Sequence, residues 1–279
     1  MSEIVRWAVN FKNFRPSKEE LVKAVSCVQS EEKDRLIKFH FLDDFYSSLI
    51  GRLLQRKFVN EFGSLGYSDI HFSRDEKGKP IVNNKLNSHI KFNVSHQGDY
   101  TVLAGFVADK CQSGIGVDIM KIDYKGGKSI PEFFRLMTKH FSIVEWSNIR
   151  KHLKEREQLK SFMRHWCLKE SYVKNIGVGI TVDLQKISFE IHEDQLMTSN
   201  IVESTKLKVN GVSMVNWRFE EHLIDEDHCV AIALSDVQNC ATGPFRFFNS
   251  EELLENSRQV TEFDEQYCEQ VFTKAFKKL

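Results

Sequence analysis

The stretch WCLKESYVK, from Trp166 to Lys174, decides how this chain is read, together with GVDIM from Gly116 to Met120. A helix with 3.6 residues per turn sets Glu170 and Lys174 on one face, one turn apart. GVDIM has the character of a strand end that leaves a single acid, Asp118, beside a loop. Two carboxylates from separate elements, with an ammonium one turn away, can hold a magnesium ion on a pyrophosphate. That chemistry points toward group transfer. Taken singly, the same residues are ordinary. An i,i+4 Glu–Lys pair is most often a solvated ion pair of a few tenths of a kcal/mol, Asp118 alone is a turn acid, and Trp166 alone is a core residue.

Working outward, the helix that carries Trp166–Lys174 is expected over about Glu157 to Asn175, and the GVDIM strand over Gly114–Met120. Between them a Gly-rich loop, Asp123 to Pro131, leads to helices near Glu132–Lys139 and Ile143–Lys154, the latter opened by a capping box at Ser142 and Glu145. Strands are expected at Lys186–Ile191, Lys206–Val209, Ser213–Phe219 and His228–Leu234. Upstream, Val5, Trp7, Val9 and Phe11 alternate as in a half-buried strand. Ser17 with Glu20 forms a capping box for a helix reaching about Gln29, and Ser30–Lys33 starts another. Leu49, Leu53, Leu54 and Phe58 recur at helical spacing within a helix from about Asp43 to Phe62. Short strands follow at Ile70–Ser73, Ile90–Val94 and Thr101–Val107. Each half therefore mixes helices with a small antiparallel sheet, in a similar order. The division this suggests is 1–111, 112–248 and a polar tail, 249–279. The end of that tail carries Phe272, Ala275, Phe276 and Leu279 at helical spacing, as in a docked helix or, less readily, a membrane-surface one.

Composition sets limits. Lys+Arg and Asp+Glu both number 39 in 279 residues, so whole-protein attraction to nucleic acid has little support, local basic clusters aside. The six cysteines, at 27, 111, 167, 229, 240 and 268, form no CxxC pair, so reduced thiols in a cytosolic protein are expected rather than a zinc site or a disulfide framework. The opening MSEIVRWAVNFKNFRPS lacks the basic head and apolar run of a secretory signal. The longest apolar run, Cys229 to Leu234, is far too short for a membrane span. A soluble, cytoplasmic protein is expected.

Three more segments bear on anion binding. FNVSHQG at residues 92–98 runs from a strand into a polar turn, where Ser95 and His96 can donate hydrogen bonds to a phosphate. Arg74-Asp75-Glu76-Lys77-Gly78-Lys79-Pro80 is a charged turn whose cations can reach an anion. Arg35 lies on a short helix among other charges.

The ordered set GKP, FNVSHQGDY, GVDIM and WCLKESYVKNIGVG resembles the Sfp-type 4'-phosphopantetheinyl transferases. The likeness also takes in VRWAV near the start, EEKDR at 31–35, GRLLQRK at 51–57 and SIPEFF at 129–134, so it runs from near residue 5 to about residue 235. The resemblance implies an α+β fold of two similar, pseudo-twofold-related α/β halves with coenzyme A in the cleft between them. It implies catalytic roles for Asp118, Glu170 and Lys174, of which Asp118 and Glu170 match the metal-binding acids. It also implies coenzyme A contacts at Arg35, at Arg74, Asp75, Glu76, Lys77, Gly78 and Lys79, at Asn93, Val94, Ser95 and His96, and at Glu170, Ser171, Tyr172, Val173 and Lys174.

The implied reaction moves 4'-phosphopantetheine from coenzyme A to a serine of an acyl carrier protein with Mg2+, releasing 3',5'-ADP. The implied carriers include the carrier domain of cytosolic fatty acid synthase and an aminoadipate-pathway protein, and the implied assembly is a monomer. One position departs from the bacterial pattern. Where many relatives carry a third metal carboxylate, this chain has Met120, whose thioether is a poor magnesium ligand. A non-catalytic coenzyme A or carrier-binding module of the same fold is the rival reading. The presence of Asp118, Glu170 and Lys174 together argues against it.

Overall fold

In a computed structural model of the protein, the described residues are 4–76, 78, 80–83, 89–107, 113–237 and 240–274. Lys77, Lys79 and Cys111 lie outside them, as do Ala275, Phe276 and Leu279 of the tail. Two units are present, one made of Val5–Ala108 with Phe245–Leu279 and the other of Met1–Ile4 with Asp109–Pro244.

In the first of these, β1 (Val5–Asn10) is buried along nearly its whole length, on both faces, rather than half-buried as its alternation suggests. The reason is its place inside a sheet. It pairs antiparallel with β5 (Tyr100–Val107) and parallel with β12 (Arg246–Phe247), in the order β12-β1-β5-β4, where β4 is Ile90–Gln97. Helix α1 (Lys18–Ser26) opens on the expected capping box, with Ser17 Oγ accepting from Glu20 N and Glu20 Oε2 accepting from Ser17 N at 2.7 Å. Helices α2 (Ser30–Leu36) and α3 (Leu42–Phe62) follow. The apolar stripe Leu49, Leu53, Leu54 and Phe58 of α3 is fully enclosed in the core. Gly105 of β5 leaves room for the Phe58 ring, which a Cβ there would meet at 2.6 Å. A short hairpin, β2 (Phe72–Arg74) and β3 (Pro80–Val82), replaces the single strand expected at Ile70–Ser73. Residues after 244 return to this unit. Helices α7 (Ser250–Leu254) and α8 (Glu265–Thr273) add Leu253, Leu254, Tyr267, Cys268 and Val271 to its core.

The second unit repeats the plan. Strand β6 (Gly114–Lys121) is followed by helices α4 (Ile130–Leu136), α5 (Ile143–Arg150) and α6 (Glu155–Ile176). A small sheet follows, β7 (Ile187–Glu190), β8 (Lys206–Val209) and β9 (Val212–Ser213), and then the hairpin β10 (Trp217–Asp225) and β11 (His228–Ser235). The main sheet has the order β10-β11-β6, just as β4-β5-β1 runs in the first unit. In both, the first strand pairs with the last strand of the closing hairpin. The single strand expected at Ser213–Phe219 is instead two. Met214 N still donates to Leu207 O in the small sheet, and a turn from Met214 to Trp217 then carries the chain into the other sheet.

Candidate active site

Helix α6 lies across β6, and one glycine sets how closely. A Cβ on Gly116 would stand 2.0 Å from Ser171 O and 2.5 Å from Asn175 N, so only glycine allows this approach. The consequence appears one residue pair along. Lys174 Nζ reaches across to Asp118 Oδ1 at 2.6 Å and to Val117 O at 3.3 Å. Asp118 is nearly enclosed, with its side chain 7% exposed, whereas Lys174 keeps about a quarter of its surface. The lysine that sequence spacing pairs with Glu170 along the helix therefore forms its ion pair with the strand. Glu170 is half-buried on the same helix face. Burial first, and the nearby Asp118 carboxylate second, raise its pKa above the usual carboxylate range, while Lys174 pulls it back. Mutual repulsion of two carboxylates around one ammonium is the donor chemistry that a hard divalent cation relieves. Met120 packs against the apolar core of this unit and offers no oxygen.

The rest of the motif builds the scaffold. Lys169 is completely buried against an equally buried Glu145, Nζ to Oε2 2.9 Å, and also donates to Leu184 O and Ile187 O. Glu145 in turn closes the capping box of α5 and accepts from Phe189 N. This single lysine thus ties α6 to α5 and β7, fixing the rotation that aims its neighbour Glu170 outward. Trp166 stacks among Phe162, Phe141 and His140. Ser171, Tyr172 and Val173 are buried, with Ser171 donating to Leu168 O and Tyr172 packed on Trp217. Only Glu170 and Lys174 of this five-residue run keep a partly open side. Cys167 Sγ donates to Asp118 O at 3.1 Å, and burial holds its thiol well above the ordinary range, so it is a neutral spacer under the acid.

A second site lies within the other unit, a cavity of about 690 Å³ lined by residues between Gln29 and His96. Arg35, Arg74, Asn93, Val94 and His96 all face it. Ser95 is buried, and Glu76 is exposed on the hairpin turn. In that turn Arg74 donates to Gly78 O, and Gly78 N to Asp75 O at 2.9 Å. Gly78 needs its positive φ of 82° to close it.

Sequence reasoning passed over Arg52, which also lines this cavity and is only 8% exposed. Its Nη1 donates to Ser48 O at 2.8 Å and its Nε lies 3.4 Å from Glu32 Oε1. Burial lowers its pKa, Glu32 raises it, and the guanidinium groups of Arg74 and Arg35 lower it again, so three guanidinium groups share one neighbourhood. The available signal was a charge set among Leu49, Ile50, Leu53 and Leu54, at a helix position that should be apolar. Arg56, one turn on, is a strut. It donates to Tyr67 O and Ile70 O, both at 2.9 Å, and to Gln29 Oε1. Gln29 in turn accepts from Phe72 N at 2.6 Å, which ties the start of β2 to the start of α2. The lining also carries Glu31 and Glu32, and the exposed guanidinium groups of Arg35 and Arg74 with His96 are the donors there that suit phosphate groups.

Comparison with known proteins shows the family. Residues 12–108 match the family model described as 4'-phosphopantetheinyl transferase, N-terminal, and residues 114–233 match that of the 4'-phosphopantetheinyl transferase superfamily. The chain belongs to the 4'-phosphopantetheinyl transferases. Among individual relatives, it is 41% identical over 235 residues to the L-aminoadipate-semialdehyde dehydrogenase-phosphopantetheinyl transferase of Rattus norvegicus, covering 83% of this chain and 75% of that one. The Xenopus laevis protein of the same name is 38% identical over 276 residues, covering 94% and 90%. The 4'-phosphopantetheinyl transferase Sfp of Bacillus subtilis is 29% identical over 188 residues, covering 67% and 77%. No helix among the described residues is long and apolar enough to cross a membrane.

Proposed function

We propose that the protein transfers the 4'-phosphopantetheine arm of coenzyme A to a serine hydroxyl of a carrier-protein domain, with magnesium held by Asp118 and Glu170. The observation that carries the site assignment is the convergence of Asp118, Lys174 and Glu170 from β6 and α6. Lys174 Nζ is locked onto Asp118 Oδ1 at 2.6 Å, so that carboxylate is already engaged. Glu170 is then the carboxylate left to accept the serine proton. The serine oxygen forms a new bond to the phosphorus that bears pantetheine, and the bond from that phosphorus to 3',5'-ADP breaks. Lys174 stabilises the charge that develops on the departing phosphate. Magnesium, when bound, neutralises the pyrophosphate. Asp118 and Glu170 would be the residues that hold it, since Met120 stands where a third acid would add a carboxylate. Arg35, Arg52, Arg74 and His96 bind and orient the coenzyme's phosphates.

The proposed carriers are those suggested by the resemblance, the carrier domain of fatty acid synthase and an aminoadipate-pathway protein, and the proposed setting is a monomer in the cytosol. Incubating the protein with coenzyme A, magnesium and an apo carrier should add one phosphopantetheine arm to the carrier by intact mass. No gain across several carriers, with coenzyme binding intact, refutes transfer. Glu170→Gln should lose turnover by roughly 10²-fold or more while keeping coenzyme affinity, the range expected for a general base. Unchanged turnover removes Glu170 from that role.

A further inference from the structure

We infer that residues 260–274 are a positioning element for the phosphate pocket, holding α2 and with it Arg35. The inference rests on the reading that this pocket takes the coenzyme's phosphates. Helix α2 has seven residues and buries only Leu36, too little to fix its own place. Its N-terminal end is secured by the Gln29–Glu32 capping box and by the bonds from Gln29 to Phe72 and Arg56.

Its other end is held in the core by Leu36, with Ile37 and Phe39 packed beside it, and the polar contacts made there by side chains from outside residues 30–39 include a set from the distant tail. Val260 N and Thr261 N donate to Ser26 O, bringing the tail to the end of α1 just ahead of α2. Tyr267 Oη donates to Lys33 O at 2.9 Å. Lys33 Nζ pairs with Asp264 Oδ2 at 3.2 Å and lies 5.1 Å above the Tyr267 ring. Lys274 Nζ donates to Phe39 O at 2.6 Å and to Ile37 O. The Ile37 and Phe39 carbonyls lie at and just past the C-terminal end of α2, where an ammonium also complements the helix dipole. Lys33 and Ile37 sit two residues on either side of Arg35. The tail thus clamps the turn that carries the exposed Arg35 to the cavity it lines. Its anchorage apart from α2 is the buried pair Cys268 and Val271 in the core of this unit, to which Lys18 of α1 adds only exposed ion pairs with Glu265 and Glu269 of α8.

Loosening the clamp disperses Arg35 and weakens phosphate binding, while the Asp118–Lys174–Glu170 site keeps its geometry. The test uses the full chain and 3',5'-ADP as the calorimetric probe. The double variant Tyr267→Phe/Lys274→Ala should raise the Kd about five- to tenfold, as loss of a helix-end anchor implies. It should also raise the KM for coenzyme A, leave kcat at saturation within about twofold, and speed amide hydrogen exchange at residues 30–39. Lys274→Arg should retain wild-type affinity. Lys18→Ala, which touches α8 but not α2, should change neither constant.

Equal affinity of the double variant and the wild type overturns the positioning role. A parallel fall in kcat and melting temperature, with KM unmoved, overturns it in favour of plain destabilisation. If the double variant does not fold, Tyr267→Phe alone decides, since it keeps the ring and removes one hydrogen bond; unchanged affinity there overturns the inference. Failure of the wild-type protein to bind 3',5'-ADP overturns the reading of the pocket instead.

Discussion

Replacing Gly116 by alanine tests whether the spacing between α6 and β6 sets the catalytic geometry. The added Cβ would lie 2.0 Å from Ser171 O and 2.5 Å from Asn175 N, both of them backbone atoms that cannot swing aside. Carbon–oxygen contacts become tolerable near about 3.3 Å, so the helix must withdraw by roughly 1 Å. Ser171 lies between Glu170 and Lys174, and the shift takes both with it. The Lys174–Asp118 contact, now 2.6 Å, would open beyond hydrogen-bond range. Misplacing reacting groups by about 1 Å costs on the order of 10²-fold in rate, and overpacking costs about 1–3 kcal/mol of stability. Gly116→Ala should therefore lower kcat/KM for carrier modification about 100-fold, as measured by initial rates of carrier mass gain. It should leave 3',5'-ADP affinity unchanged, because that cavity is lined by residues 29–96. A folded Gly116→Ala protein within threefold of wild-type kcat/KM would refute the claim that this contact sets the site.

Two further outcomes follow from buried groups. His165 is enclosed, its Nδ1 bonded to Ser161 O at 2.7 Å, and burial, helped by Arg164, Lys169 and Lys151, lowers its pKa from 6.5 to about 3. Between those values the unfolded chain binds the extra proton, so stability is complete above pH 6.5 and declines as pH falls toward 3. At pH 5 the loss is about 2 kcal/mol by linkage, and His165→Leu should abolish that share of the pH dependence in urea midpoints measured at pH 7 and pH 5. Lys169→Met leaves Glu145 alone in the core and should cost about 3–5 kcal/mol in urea unfolding, with part recovered in Lys169→Met/Glu145→Leu; equal stability of the single variant and the wild type would contradict the tie between α5 and α6.

Local signals carried well from sequence to structure. Both capping boxes formed with their reciprocal bonds, and α3 and α6 ran within two residues of their expected limits, because each rests on interactions inside one element. Asp118 and Lys174 were each visible, yet their contact spans 56 residues and depends on a glycine whose purpose shows only once the helix is laid on the strand. Arg52 was missed because a cation in an apolar stripe gives no hint whether it is a strut like Arg56 or lines an open cavity. Lys169, which sits in the most informative motif, is held by a partner on α5 that no spacing rule connects to it. Strand β12 has two residues and no pattern of its own, and its effect was felt elsewhere, as the unexpected double-sided burial of β1.

The return of residues 245–274 to β1 and α2 also orders the birth of the molecule. As the chain is made, residues 5–107 emerge early, but β1 lacks the partner for its outer edge and α2 lacks its clamp. The whole of 109–244 is synthesised as an insert before either arrives, and it has its own core to collapse around. The unit begun first is thus completed last. A ribosome that stalls after the transferase motifs leaves a chain whose β1 lacks β12, an unpaired strand edge open to association.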